Sequence, residues 1–251
     1  MIELWQGDCL ELMKKIPDKS IDMILCDLPY GTTACKWDTI IPFEPLWEQY
    51  KRIIKDNGAI VLMASQPFTS KLVMSNIKMF KYEWIWEKTC GSNFCTVKYQ
   101  PLKQHENVLV FCDGKISYNP IMQEREGSGL KRIKSPYLSN TVAGEYVNKL
   151  KTNVKGKQYP DLKYPSSIQY FNERNKDRGY HPTQKPVALF EYLIKTYTNE
   201  GELVLDNCAG SGTTGVACKN LNRNCILIEK DKGYFVIAQE RITQTTQELF
   251  I

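Results

Sequence analysis

Apolar positions along the chain alternate between two patterns. Short, mostly apolar runs occur at Ile21–Cys26, Ala59–Ala64, Tyr82–Trp86 and Asn107–Cys112. Runs of this length bounded by turn residues predict strands buried on both faces. Between them lie segments of helical spacing. Phe43, Leu46, Trp47, Tyr50, Ile53 and Ile54 predict a helix over 43–54, stopped by Asn57-Gly58. Pro67 opens a second helix leading into Leu72–Met79. After Tyr180 the alternation resumes, with helices over 186–197, 213–221 and 232–242 and strands over 202–205 and 225–228. Strands alternating with helices imply an α/β protein with a mostly parallel sheet covered on both faces.

One region breaks the pattern. Residues 113–176 have few long apolar runs and carry a net charge of +6, against +5 for all 251 residues. Nearly all the excess positive charge therefore sits in this stretch. Its tyrosines (Tyr118, Tyr137, Tyr146, Tyr159, Tyr164, Tyr170) are interleaved with lysines. Two segments, 1–112 and 177–251, thus form one discontinuous domain, with 113–176 inserted. The charge suits a polyanionic partner.

Nine cysteines fit no zinc spacing and form no Cys-x-x-Cys pair, so no metal is expected. An odd number of scattered thiols implies a reducing, cytoplasmic setting. No apolar run approaches the ~18 residues of a membrane span, and no signal peptide opens the chain.

Two segments carry candidate chemistry. Leu203-Val204-Leu205-Asp206-Asn207-Cys208-Ala209-Gly210-Ser211-Gly212-Thr213-Thr214 reads as strand, acid, small-residue loop and helix start. Glycines there let a ligand approach the backbone, and the helix offers free amides. No P-loop lysine is present and the G-x-G-x-x-G pattern is incomplete. The next strand ends in Glu229, placed to accept from ribose hydroxyls. A nucleoside with little need of phosphate contacts fits, and S-adenosylmethionine is one. The second segment, Asp27-Leu28-Pro29-Tyr30, follows a buried strand and precedes Gly31. Alone it reads first as an Asp-capped turn. As a site, Asp27 and the Leu28 carbonyl would accept from the two N–H groups of an exocyclic amine. Tyr30 would give a face for a base flipped out of a duplex.

Together these motifs resemble those of the β-type, permuted S-adenosylmethionine-dependent DNA amino-methyltransferases. Asp27–Tyr30 resembles their D/N/S-P-P-Y catalytic block, with Leu28 in place of the commoner first proline. Asp206–Thr214 resembles their cofactor loop, and His181-Pro182-Thr183-Gln184-Lys185-Pro186 matches a block that precedes it. The resemblance implies a Rossmann-like methyltransferase sheet with one antiparallel strand and an inserted target-recognition region. It implies that Asp8 and Cys9 contact the cofactor adenine. Lys185 would flank its methionine end, and Asp27, Asp206, Cys208, Ala209, Gly210, Ser211, Gly212, Thr213, Glu229 and Lys230 would complete the cofactor site.

The implied partner is double-stranded DNA. Lys131, Arg132, Lys134, Lys149, Lys151, Lys155 and Lys157 of the insert would meet its phosphates. His105 and Glu106 suit either the base pocket or structural hydrogen bonding. Asp at position 27 leans towards adenine N6 as the target, with cytosine N4 as the alternative and a catalytically inactive DNA-binding homologue a third reading. A homodimer and a cognate restriction nuclease are both compatible with the resemblance, as is a bacterial or phage origin, but the chain shows no dimer motif.

Overall fold

A computed structural model describes residues 1–33, 35, 38–125, 161–172, 179–180 and 183–245. The apolar runs become strands of one eight-stranded sheet. In chain order the elements are β1 (Ile2–Gln6), α1 (Cys9–Met13), β2 (Ile21–Asp27), α2 (Phe43–Ile53), β3 (Ile54–Ala64), α3 (Phe68–Ser75), β4 (Phe80–Ser92) and β5 (Lys103–Phe111). There follow β6 (Gln123–Glu124), β7 (Leu162–Lys163), β8 (Ile168–Phe171), α4 (Val187–Tyr197), β9 (Leu203–Asp206), α5 (Thr213–Asn220), β10 (Asn224–Glu229) and α6 (Lys232–Gln244). The sheet order is β1-β10-β9-β2-β3-β5-β4-β8. Only β5 runs against the others, pairing antiparallel with β3 and β4.

Period-2 alternation explains why both faces are covered. Ile24 and Cys26 of β2, Ile60 and Leu62 of β3, and Leu109 of β5 pack with Leu46, Tyr50 and Phe68 of α2 and α3. Their neighbours Met23, Leu25, Val61, Met63 and Val108 pack instead with Leu189, Leu193, Val216 and Ile242 of α4, α5 and α6. No helix among the described residues is long and apolar enough to cross a membrane.

Strands β4 and β5 extend well beyond the apolar runs Tyr82–Trp86 and Asn107–Cys112 that predicted them, and two helix ends also differ from the sequence reading. Helix α2 stops at Ile53, before Asn57-Gly58, because Ile54 already pairs with Ile21. Residues 55–58 then bulge before Ala59 pairs with Met23, and a side chain at Gly58 would meet the Asp22 carbonyl at 2.8 Å. Helix α3 begins directly after Pro67, as expected, but ends at Ser75, short of Met79, because Asn76 leaves the helical region at φ −153°.

Residues 1–119 with 167–251 form one compact unit, and 120–166 a second. In the second, β6 and β7 pair antiparallel, and the Arg125 amide donates to the Asp161 carbonyl at 2.8 Å. The stretch 113–176 singled out by charge is wider than this unit. Asn119 bonds Thr196 at 2.7 Å, and β8 lies beside β4 at the sheet edge. Lys131, Arg132, Lys134, Lys149, Lys151, Lys155 and Lys157 all lie outside the described residues.

Candidate active site

Strands β1, β10, β9, β2 and β3 are mutually parallel, so their carboxyl ends share one edge of the sheet. After β2 the chain crosses over through α2 on one face, and after β9 through α5 on the other. The loops leaving adjacent strands β2 and β9 therefore diverge, which opens a crevice at that edge. An open cleft of about 1190 Å³ lies there. Its wall includes Asp8, Cys9, Asp27–Tyr30, Lys185, Asp206–Ser211, Thr213, Glu229 and Lys230.

The antiparallel strand explains two further wall residues. Because β5 runs the opposite way, its beginning, Lys103–Glu106, reaches the same edge as the carboxyl ends. The pairing of β4 with β5 slips between Glu87 and Ser92, and the irregular segment carries Lys88 into the cleft. His105 stays exposed and takes no part in the cleft wall, whereas Glu106 does.

These elements assemble a chain of alternating charges. Tyr30 donates its hydroxyl to Asp27 Oδ1 at 2.8 Å. Lys185 donates its ammonium to Asp27 Oδ2 at 2.6 Å and to the Thr183 carbonyl at 3.3 Å. The same ammonium lies 3.5 Å from Glu106 Oε2, and Lys88 pairs with Glu106 Oε1. Lys185 is only 7% exposed, so its charge depends on these partners. Burial acts to lower its pKa, but Asp27 and Glu106 outweigh burial and hold it above the ordinary lysine value. Burial likewise acts to raise Glu106, yet Lys185 and Lys88 hold its carboxyl below the usual range. The resemblance placed Lys185 beside the methionine end of the cofactor; its ammonium is committed to the Asp27 carboxylate.

The Asp27–Tyr30 turn is rigid for identifiable reasons. The Leu28 side chain is 3% exposed and packs in the core, so leucine in place of proline adds a core anchor. No hydrogen bond among the described residues occupies the Leu28 carbonyl. The Tyr30 ring stacks on Phe68 with centroids 5.1 Å apart. Gly31 takes φ +67°, and a side chain there would meet Ile40 at 2.9 Å. Asp38 then gathers the next three amides, accepting from Gly31 at 2.8 Å, Thr32 at 2.9 Å and Thr33 at 2.7 Å. Burial acts to raise the Asp38 carboxyl, but those amides hold it low. Sequence reasoning missed Asp38; the signal available was a glycine turn whose amides need an acceptor a few residues on.

The glycine-rich loop is equally built. Asp206 Oδ1 accepts from the Cys208 amide at 3.0 Å, and Oδ2 accepts from the Thr214 hydroxyl. Burial pushes its carboxyl up to about 6. Gly212 has φ +79°, and a side chain there would touch Ala238 Cβ at 3.0 Å. Arg241, reaching from α6, donates to the Ser211 carbonyl at 3.1 Å and to Thr213 Oγ1 at 3.0 Å. Glu229 Oε2 accepts from the Gly210 amide and Oε1 from the Asp231 amide, both at 2.7 Å. Asp8 caps α1 through the Leu10 amide at 3.0 Å and meets Lys230 at 3.1 Å. Burial acts to raise the Asp8 carboxyl, but Lys230 and the Leu10 amide bring it below the usual value.

Cys9 and Cys26 lie beside Cys208 of this loop. A hydrogen bond with Cys208, then burial, pushes the Cys9 thiol up. Burial pushes Cys26 up to about 12, and a hydrogen bond with Cys26 pushes the Cys208 thiol up too. The raised values favour the neutral thiol, the less nucleophilic form, at all three.

Along the edge, Glu229 ends β10, the glycine loop follows β9, and Asp27 ends β2. Glu229 and Asp27 are thus two strand spacings apart, roughly 10 Å. That suits a ligand whose ribose lies at one acid and whose reactive group reaches the other. The sequence model of the DNA methylase family matches residues 21–240. The chain belongs to the DNA methylase family. It is 31% identical to the type II methyltransferase M.HpaI of Haemophilus parainfluenzae, over 94% of this chain and 72% of that one. It is 29% identical to the DNA adenine methyltransferase YhdJ of Escherichia coli (strain K12), over 94% of this chain and 81% of that one. The solved M1.HpyAVI–SAM complex is similar at TM-score 0.66 and 25% identity, covering 96% of this chain and 99% of that chain. The cytosine-N4-specific PvuII DNA methyltransferase shares the fold, with TM-score 0.63 at 16% identity over 98% and 91% of the two chains.

This DNA methylase uses S-adenosylmethionine, and its cleft fits that molecule. Gly210, in the left-handed region, lines the cleft without a side chain, and Glu229 faces the cleft with lone pairs left for ribose hydroxyls. Glu229→Ala should weaken S-adenosylmethionine binding about 10–100-fold by calorimetry, the value of hydrogen bonds to a charged acceptor. Glu229→Gln, which retains one acceptor oxygen, should lose less. An unchanged dissociation constant in the alanine variant would remove the ribose role.

Proposed function

We propose that the protein transfers a methyl group from S-adenosylmethionine to N6 of an adenine turned out of duplex DNA at a specific site. The observation that carries this reading is Asp27. Its carboxylate is fixed at the end of β2 by Tyr30 and Lys185, beside a Leu28 carbonyl with no described partner. Asp at that position, and the likeness to a relative named as a DNA adenine methyltransferase, support adenine.

An exocyclic amine is a weak nucleophile because its lone pair is drawn into the ring. Two acceptors on its N–H groups favour a pyramidal nitrogen with its lone pair directed outward. Asp27 and the Leu28 carbonyl are those acceptors. Tyr30, backed by Phe68, gives the base a flat wall. When bound, S-adenosylmethionine supplies a methyl group activated by its sulfonium. The protein contributes position and charge at the reacting nitrogen rather than a covalent step. Phosphate contacts are assigned to Lys131, Arg132, Lys134, Lys149, Lys151, Lys155 and Lys157 on the charge of the 113–176 insert; such contacts position the duplex without reading its sequence. The cysteines are all free thiols, which supports a reducing cytosol.

The test is nucleoside mass spectrometry of DNA from an expressing strain, with sequencing of the modified positions. N6-methyladenine in one sequence context is expected. N4-methylcytosine instead would overturn the base assignment, and no modified base would overturn the activity.

A further inference from the structure

The loop joining β4 to β5 turns large apolar side chains outward beside the catalytic cleft. Tyr99 is 88% and Phe94 67% exposed, and Val97 and Leu102 are exposed with them. Phe94 is also part of the cleft wall.

The loop is well ordered by its own polar atoms. Asn93 sits at φ +67°, donates its side-chain amide to the Pro101 carbonyl at 3.2 Å and accepts from the Lys103 amide at 2.9 Å. A turn over Phe94–Thr96 follows, and Gln100 donates to Thr96 Oγ1 at 2.7 Å. Gly91 closes the neck, since a side chain there would meet Leu102 Cβ at 2.7 Å. Polar groups thus tie the loop from within while apolar groups face water, the reverse of an ordinary surface turn. Neighbouring exposed apolar side chains mark a contact surface. The loop itself, residues 93–102, carries Lys98 and no acidic residue, which suits a polyanionic partner.

We propose that this loop is a wedge that enters the duplex as the target base leaves it, with Tyr99 filling the vacated place in the base stack. Phe94 lines the passage from stack to pocket, and Lys98 lies against the backbone. The proposal rests on the reading of the protein as a methyltransferase of a flipped base. Extruding a base breaks its stacking on both neighbours, and an inserted aromatic ring restores part of it.

The experiment compares Tyr99→Ala with wild type on two duplexes carrying the site mapped by sequencing. One is intact; the other has an abasic position opposite the target base, which already loosens the stack. On the intact duplex kcat/KM should fall about tenfold or more, the scale of one lost base–aromatic stack. On the abasic duplex the two proteins should agree within about twofold. A 2-aminopurine at the target position should brighten less with the variant, and Tyr99→Trp should restore both readouts. No loss on the intact duplex, or the same loss on both, would overturn the wedge. A wild-type protein that binds S-adenosylmethionine but methylates neither duplex would instead overturn the activity on which the wedge depends.

Discussion

Asp27→Asn is expected to lower kcat about 10²–10³-fold, the usual scale for removing one oriented group from a preorganised polar site. S-adenosylmethionine binding should stay within about threefold of wild type. The substitution keeps the shape and one carbonyl oxygen. It exchanges the other oxygen for an NH₂ group, which can accept nothing from an amine. Because Oδ2 is the oxygen Lys185 holds at 2.6 Å and Oδ1 the one Tyr30 holds at 2.8 Å, one of those contacts must turn donor against donor or reverse. Asparagine is a cleaner test than alanine, which would leave the Lys185 ammonium buried with Glu106 alone. The cofactor loop hangs from Asp206, Arg241 and Glu229, none of which bonds Asp27, so cofactor binding and turnover should separate. Calorimetry and steady-state transfer of a labelled methyl group read the two quantities. A variant retaining near-normal kcat would show that Asp27 is not the acceptor at the reacting nitrogen.

Lys185→Met is the second large effect, and it falls on stability as well as turnover. The lysine is 7% exposed and neutralises two carboxylates. Removing one member of a buried charge group costs about 3–5 kcal/mol, because the remaining charges lose their partner. Urea denaturation at pH 7 should show that loss. Adding Glu106→Gln should recover part of it, since the amide needs no cation. The pH dependence has a definite sign. Glu106 is held below its ordinary value of 4.5, so its contribution is present above that value and fades as pH falls through the folded one. Lys185 is held above its ordinary 10.5, so its contribution is present below that value and fades as pH rises through the folded one. The gap between wild type and Lys185→Met should therefore be widest between about pH 5 and 10 and should narrow in acid. A gap that fails to narrow as the pH falls below about 5 would show that the lysine acts by packing alone.

Much of the site was readable along the chain because its parts are local. A strand ending in an acid, followed by Pro29 and Gly31, is a rigid turn wherever it occurs. The glycines of the cofactor loop and the acid at the end of the next strand likewise announce themselves by spacing. The boundaries read least well were those set by pairing. Ile54 has helical spacing with Phe43–Ile53, yet it begins β3 because Ile21 lies opposite it. Strand β8 has no long apolar run, and its place beside β4 comes from the edge it completes.

Glu106 and Lys88 show what local reading cannot reach. Whether Glu106 lines a pocket or serves structure was open from the sequence, because a strand residue faces one side or the other according to register. The reversed direction of β5 and the slipped pairing of β4 decide it.

The sequence by itself determined the strand and helix alternation, the cofactor loop with Glu229, and the Asp27–Tyr30 turn, all properties of a few consecutive residues. Only the tertiary structure decided that Lys185, 158 positions from Asp27, is its counter-ion, and that Glu106 and Lys88 extend the pair into a network. The physical reason is that a buried charge is tolerated only where opposite charges converge on it. That convergence is set by strand order and direction at one edge of the sheet, which no spacing along the chain records.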